Sequence, residues 1–104
     1  MPDCILDPCV EGELWGIWLF IAQDDPEAAT RVIEGAFETF KTLSASPGIG
    51  RLRRFRHRKL HGIRSWRITG FENYLIFYRV TDNGIQVHHV YHGARDIEAL
   101  FDEK

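Results

Sequence analysis

The sequence has few cysteines and no long hydrophobic run, and each shortage excludes a class of protein. Its two cysteines, Cys4 and Cys9, are too few and too close together for a secreted disulfide scaffold. The longest apolar run, residues 14–22, is about half of the ~20 residues that cross a bilayer. The upstream flank is acidic and has no Lys or Arg, unlike a secretory signal. We therefore expect reduced thiols, no membrane contact and a cytoplasmic location.

The remaining composition is that of one folded domain. Of the 104 residues, 44% are hydrophobic and 27% charged, which excludes disordered and low-complexity classes. On folding, a chain of this length buries about 60% or more of the surface that the unfolded chain exposes, so it can fold without disulfides or a structural metal. We predict a single domain over residues 1–104. The glycines at 48 and 50 lack the spacing and the lysine of a phosphate loop, and we expect no cofactor.

The formal net charge of −2 conceals a strong asymmetry along the chain. Residues 1–50 hold two basic and nine acidic residues, whereas residues 51–79 hold nine basic residues and one acidic residue. We call residues 51–59, which read RLRRFRHRK, the basic segment. A basic stripe favours contact with an anion, either nucleic-acid phosphate or an acidic protein surface. The alternative is a solvated loop or edge strand kept basic to deter edge pairing.

Two helices are predicted in the first half of the chain. From about Val10 to Gln23, apolar residues recur at spacings of three and four. A second helix is predicted from Pro26 to about Leu43, because an acidic cap precedes a proline at its first position and one apolar stripe runs along it. The connection is so short that the helices should pack as an antiparallel hairpin.

Strands are predicted in the second half, because the apolar period shifts towards two after Gly50. An Asn-Gly pair at 83–84 favours a tight hairpin turn. The strand candidates are residues 63–69, 74–80 and 85–91, with turns at 70–73 and 82–84.

The segments at the two ends complete an α+β fold. Cys4-Ile5-Leu6 is a candidate edge strand, and a last helical turn is expected to begin at Asp96. The predicted architecture is a short N-terminal strand, an antiparallel two-helix hairpin packed on a three-to-four-stranded antiparallel sheet, and a short C-terminal helix.

Motifs spread over residues 5–101 carry a family resemblance. They are Leu14, Ile17-Trp18, Phe20-Ile21-Ala22, Pro26-Glu27-Ala28-Ala29, the set Pro47, Gly50 and Arg51, then Arg64-Ser65, residues 74–80, and VYHGARDI at 90–97. In this order and spacing they resemble the RelE/ParE toxin superfamily, and the closing string is more similar to ParE than to RelE. The resemblance implies a fold of one strand, two helices and three further antiparallel strands.

The resemblance also implies the toxin of a bacterial type II toxin–antitoxin module, of the kind associated with plasmid stabilisation. ParE-like toxins poison DNA gyrase and arrest replication, and an antitoxin's C-terminal segment wraps the toxin and neutralises it. We interpret the chain as a ParE-like gyrase inhibitor that acts by binding. The alternatives are a RelE-like, ribosome-dependent mRNA endonuclease, and a decayed toxin that retains only antitoxin binding and operon co-repression.

Target binding is assigned to arginines. A surface that engages a gyrase–DNA assembly should present cations to phosphate or to acidic side chains. The candidates are Arg51, Arg53, Arg54, Arg56, Arg64, Arg79 and Arg95.

A nuclease would need a proton-transfer group and a cation for the phosphorane. His92 and Arg95 are the candidates for these roles. Phe101 stands where the resemblance to RelE-like enzymes implies a catalytic tyrosine, and phenylalanine transfers no proton. The sequence therefore favours a binding protein over an enzyme.

The first helix has more apolar surface than one buried face requires. A stripe of Leu14, Ile17, Trp18 and Ile21 suffices to pack it on the sheet, whereas Trp15 and Leu19 lie off that stripe. Exposed tryptophan beside leucine is typical of an anchor for a protein partner. We assign antitoxin binding to Trp15, Trp18 and Leu19, with an unusually thick core as the alternative.

The histidines and cysteines do not predict a metal site. His88 and His92 share a strand face but lie ~13 Å apart at ~3.3 Å per residue. Cys4 and Cys9 have no histidine near them in sequence, so an activated thiol is not indicated. We expect no bound metal.

Overall fold

Two helices cover one face of a five-stranded sheet in the computed structural model, which describes residues 3–94 and 97–102. The sheet order is β1-β5-β4-β3-β2. The elements are β1 (Asp3–Leu6), α1 (Pro8–Ala22), α2 (Pro26–Ala45), β2 (Arg51–Leu52), β3 (Arg64–Ile68), β4 (Phe71–Val80), β5 (Gly84–His92) and α3 (Ile97–Asp102). Short 3₁₀ turns occupy Pro47–Ile49 and Arg58–Leu60. The predicted α+β fold is confirmed.

The helices begin and end close to where the sequence places them. Asp25 caps α2, because its carboxylate accepts a hydrogen bond from the Ala28 amide at 3.1 Å, and Pro26 occupies the first turn. The apolar stripe of α2 is buried through Ala29, Val32 and Ala36. In α1 only Val10 and Leu14 are fully buried, so much of this apolar helix faces outwards.

The sheet is mixed rather than wholly antiparallel. Strands β3, β4 and β5 form the predicted antiparallel meander, but β1 pairs in parallel with β5, from Asp3 opposite Gly84 to Leu6 opposite Val87. A Cβ at Gly84 would lie 1.9 Å from the Asp3 carbonyl oxygen, so a glycine is required where the strands meet. The β3–β4 turn is tighter than predicted, with Gly70 at φ +84°.

The hydrophobic core has two parts, one on each face of the sheet. The larger lies under the helices and includes Phe40, Leu43, Ile76 and Tyr78. The smaller lies on the opposite face, which we call the outer face, and comprises Phe55, Leu60, Ile63, Phe77, Tyr91 and Ile97. This second core was not foreseen from the sequence.

The second core explains the path of the basic segment. Residues 53–63 follow β2 and form no strand. They cross the outer face, where Phe55 and Leu60 are buried although cationic residues flank them in sequence. Among the described residues, no helix is long and apolar enough to cross a membrane.

Candidate functional site

The basic segment presents most of its cations to solvent. Arg51, Arg54, Arg56, Arg58 and Lys59 are all exposed. Phe55, and Leu60 directly after the segment, point inwards and attach it to the outer face, whereas Leu52 is exposed. The segment is therefore a cationic ridge held on an apolar base.

Arg53 differs from its neighbours because it supports the fold. Its guanidinium lies 5.6 Å from the centre of the Phe77 ring and 5.7 Å from that of Phe55. Its Nη1 donates to the Ser65 hydroxyl at 3.3 Å. Burial, and secondly the charge of Arg51, lower the pKa of Arg53. The stacked geometry stabilises the core beneath the ridge and leaves Arg53 less available to a target.

Arg64 and Arg79 lie on opposite faces of the sheet. Arg64 pairs with Tyr78 across β3 and β4, so it shares the helix-covered face, whereas Arg79 lies on the outer face. Arg64 Nη1 donates to the carbonyl oxygen of Gly50 at 2.8 Å. The two arginines do not form one surface, and Arg95, another of the seven predicted target-binding arginines, lies outside the described residues.

Arg79 holds the end of the basic segment against the sheet. Its guanidinium donates to the carbonyl oxygens of His61, at 3.2 Å, and of Lys59. Its Nη1 also lies 3.2 Å from His88 Nε2, and His88 Nδ1 lies 2.8 Å from an oxygen of Asp7. Since guanidinium donates and carboxylate accepts, His88 is neutral with its proton on Nδ1.

Burial is the main cause of the lowered pKa of His88. The hydrogen bond and charge of Asp7 oppose this shift, and the positive charge of Arg79 adds to it. At neutral pH, His88 therefore joins Asp7 and Arg79 as an uncharged link.

A buried tyrosine positions the start of the basic segment. The Tyr78 hydroxyl donates to the Pro47 carbonyl at 2.7 Å and accepts from the Gly50 amide at 2.9 Å. A Cβ at Gly50 would lie 2.2 Å from that hydroxyl oxygen. The contacts account for a proline and a glycine three residues apart immediately before Arg51, because the turn must close onto the ring.

An apolar groove runs between α1 and α2. Its volume is about 560 Å³. Trp15 and Trp18 stack with ring centres 5.3 Å apart and an interplanar angle of 2°, and Trp15 remains 59% exposed. The described lining residues are Leu6, Glu11, Leu14, Trp15, Trp18, Thr30, Ile33, Glu34 and Phe37. Leu19 is exposed and does not belong to this lining.

His92 lies at a second, smaller hollow of about 410 Å³. Its ring meets Tyr74 edge-on with centres 5.1 Å apart, and its Nδ1 accepts from the Ala94 amide at 3.1 Å. Arg95 lies outside the described residues. The described part of the chain therefore gives no partner cation for His92, and the predicted nuclease pair stays untested.

A cluster that the sequence did not suggest joins α1 to β5. Cys9, Glu13 and His89 each place a ligand-type atom within 4.8 Å of the others. Glu13 Oε2 lies 2.6 Å from His89 Nδ1, and Glu13 Oε1 accepts from the Val90 amide at 2.9 Å. Cys9 Sγ lies 3.6 Å from the same Nδ1. The one advance signal was the four-residue spacing of Cys9 and Glu13, because it puts both on one helix face.

Comparison with known proteins gives one family and several similar folds. A family model described as the ParE toxin of the type II toxin–antitoxin system parDE matches residues 5–97. No curated protein matches the sequence.

Structures from two toxin–antitoxin systems are among those similar to this chain. A structure of the chromosomal ParDE system from P. aeruginosa aligns with a TM-score of 0.68 and 18% identity, over 88% of this chain and 96% of that chain. Two structures of the YoeB–YefM complex from Staphylococcus aureus align with TM-scores of 0.50 and 0.53, at 21% identity, over 88% of this chain and 98% of theirs. At these identities the likeness shows the fold alone.

Proposed function

This chain belongs to the ParE toxin family of type II toxin–antitoxin systems, and on that premise we propose that it inhibits DNA gyrase in the cytoplasm and so blocks replication. The observation that carries the proposal is the match to the ParE family over residues 5–97. The solvent-facing cationic ridge supports it, because a gyrase–DNA assembly offers phosphates and acidic side chains for such a surface.

The proposed contact uses four of the seven predicted arginines. Arg51, Arg54 and Arg56 project from the ridge, and Arg95 follows β5 in the sequence. Arg53, Arg64 and Arg79 act differently in the proposal, because their guanidiniums hold the segment in place. The ridge would then meet its target as a preformed surface, which lowers the entropy lost on binding.

The first experiment adds the purified chain to DNA gyrase and supercoiled plasmid and measures linear DNA and residual supercoiling. We expect accumulated cleavage complexes. Arg54→Glu should raise the concentration required by roughly tenfold through lost electrostatic attraction. Arg31→Glu is the matched control, because Arg31 is equally exposed but lies on α2.

Unaffected gyrase, with the chain shown to be folded, would refute the proposal. Cleavage of mRNA on ribosomes would then be the reaction to assay. In that case His92→Ala should abolish toxicity while antitoxin binding persists. A chain harmless to cells in every form would indicate a decayed toxin.

We further propose that the cognate antitoxin binds the groove between α1 and α2. The groove is apolar, open and bordered by the stacked pair Trp15 and Trp18. An amphipathic antitoxin helix is the occupant that fits, because its apolar face would cover side chains now exposed to water. The similar structures, which come from toxin–antitoxin systems, support an antitoxin as the partner of this chain.

Substitutions on one helix test the antitoxin site. Trp15→Ala should weaken antitoxin binding by roughly 30-fold or more, as for a central aromatic anchor. Phe20→Ala is the matched control, since Phe20 is 68% exposed on α1 but does not line the groove. Leu19→Ala should resemble the control. Equal losses for Trp15 and Phe20 would contradict the assignment.

A further inference from the structure

We propose that Cys9, Glu13 and His89 form a binding site for a divalent metal ion of zinc type. Three different donor types converge there from elements far apart in sequence: a sulfur and a carboxylate from α1, and an imidazole from β5. Zinc accepts this combination of sulfur, nitrogen and oxygen ligands. The site lies apart from both the ridge and the antitoxin groove, and it does not depend on the proposed function.

Two of the donor distances can be compared with those of a tetrahedral ion, and all three donor atoms lie within 4.8 Å of one another. With Zn–S near ~2.3 Å and Zn–N near ~2.0 Å, the sulfur and nitrogen of a tetrahedral site lie about 3.5 Å apart. The observed distance from Cys9 Sγ to His89 Nδ1 is 3.6 Å. The Glu13 oxygen, now 2.6 Å from that nitrogen, would have to move away by about 0.7 Å to reach tetrahedral spacing. A glutamate side chain makes such a shift by rotation about its own bonds.

The same geometry argues against a nucleophilic thiol. In a triad, the nucleophile and the acid use opposite nitrogens of the imidazole. Here Cys9 and Glu13 both approach Nδ1. A metal ion requires donor atoms gathered around one point, as they are here. A proton relay requires its two partners on opposite nitrogens of the imidazole.

Charge and access are also suitable. Binding would displace the Cys9 thiol proton and shift the His89 proton to Nε2, so one proton is released and the ion's two charges are balanced by thiolate and carboxylate. His89 is buried, whereas Cys9 and Glu13 are partly exposed and leave an approach from solvent.

The site would act as a clip between helix and sheet. Strand β1 pairs with β5 only as far as Val87, so the following edge of β5 lies against α1 instead. Glu13 accepts the Val90 amide at this edge. An ion held by Cys9, Glu13 and His89 would fix α1 to β5 where strand pairing ends, and so stabilise the folded chain.

The test uses Co²⁺ as a spectroscopic probe on the full chain, reduced and stripped with chelator. We expect a thiolate-to-cobalt charge-transfer band with the visible bands of a tetrahedral ion, saturating at one ion per chain and displaced by Zn²⁺. Zn²⁺ at about 100 times its dissociation constant should raise Tm by roughly 10 °C.

Matched variants decide between a site and adventitious binding. Cys9→Ser should abolish the charge-transfer band, and Cys4→Ser should retain it, because Cys4 is exposed on β1 outside the cluster. Glu13→Gln keeps an oxygen for the Val90 amide but removes the charge, so it should weaken Co²⁺ binding in a folded chain. A folded wild-type chain without the band, or a band that survives Cys9→Ser, would overturn the proposal.

Discussion

The hydroxyl of Tyr78 offers a direct test of how the basic segment is anchored. Tyr78 is fully buried, and its hydroxyl serves both the Pro47 carbonyl and the Gly50 amide. Tyr78→Phe removes one oxygen atom and leaves the ring in place. Two backbone groups at the turn before the ridge then lose their partner.

The expected loss follows from the burial of those two groups. The Gly50 amide is buried, and leaving such a donor unsatisfied costs about 1–3 kcal/mol. Pro47 is half-buried, so water can partly replace the hydrogen bond that its carbonyl oxygen loses. This loss adds about 0.5–1 kcal/mol to the destabilisation. The total is about 1.5–4 kcal/mol, which lowers Tm by roughly 6–20 °C in a domain of this size.

The assay is urea unfolding followed by circular dichroism, with Tyr74→Phe as the matched control. Tyr74 lies on the same strand and face, and its hydroxyl has no hydrogen-bond partner among the described residues. Its replacement should cost less than about 0.5 kcal/mol. A Tyr78→Phe loss equal to that of the control would refute the argument that this hydroxyl fixes the turn.

Three further predictions concern residues that hold the basic segment and the strands beside it in place. Gly50→Ala should destabilise the chain by more than about 1 kcal/mol, measured by thermal unfolding, because its Cβ would meet the Tyr78 ring; a neutral result would contradict the close approach. Since burial lowers the folded-state pKa of His88, the unfolded chain binds the extra proton first, and stability should fall as pH decreases below ~6.5. His88→Gln should flatten that dependence in urea titrations at each pH, and an unchanged slope would assign it to another group. Arg79→Gln should speed tryptic cleavage after Lys59, because the carbonyls at 59 and 61 lose their donor; unchanged cleavage would show that Arg79 does not restrain the loop.

Local patterns predicted most of the elements but few of their long-range contacts. The stripe of α2 and the alternation of β4 identify a helix and a strand because each periodicity follows from backbone geometry. Nothing local indicates that β1 joins β5 in parallel, since that pairing depends on a register between segments some eighty residues apart.

In the candidate site, too, local features could be predicted from the sequence and long-range contacts could not. The sequence predicted the ridge, because its cations form a run. It also predicted the exposure of Trp15, because the first helix has more apolar residues than one buried stripe needs. The opposite directions of Arg64 and Arg79 follow from the β3–β4 register, which shifts at an irregularity between Arg67 and Ile68 that no local pattern indicates. Cys9 and His89 meet across 80 positions, beyond any local pattern.

The parallel pairing of β1 with β5 also affects the order in which the chain can fold during synthesis. The residues of β1 are synthesised some eighty positions before their partners, Gly84–Val87. The two helices contact each other, as do β3 and β4, and in both cases the partners are close in sequence. These contacts can therefore form before β1 pairs with β5. Closing so long a loop carries an entropic cost that local contacts avoid. Completion of the native sheet therefore has to follow the synthesis of β5.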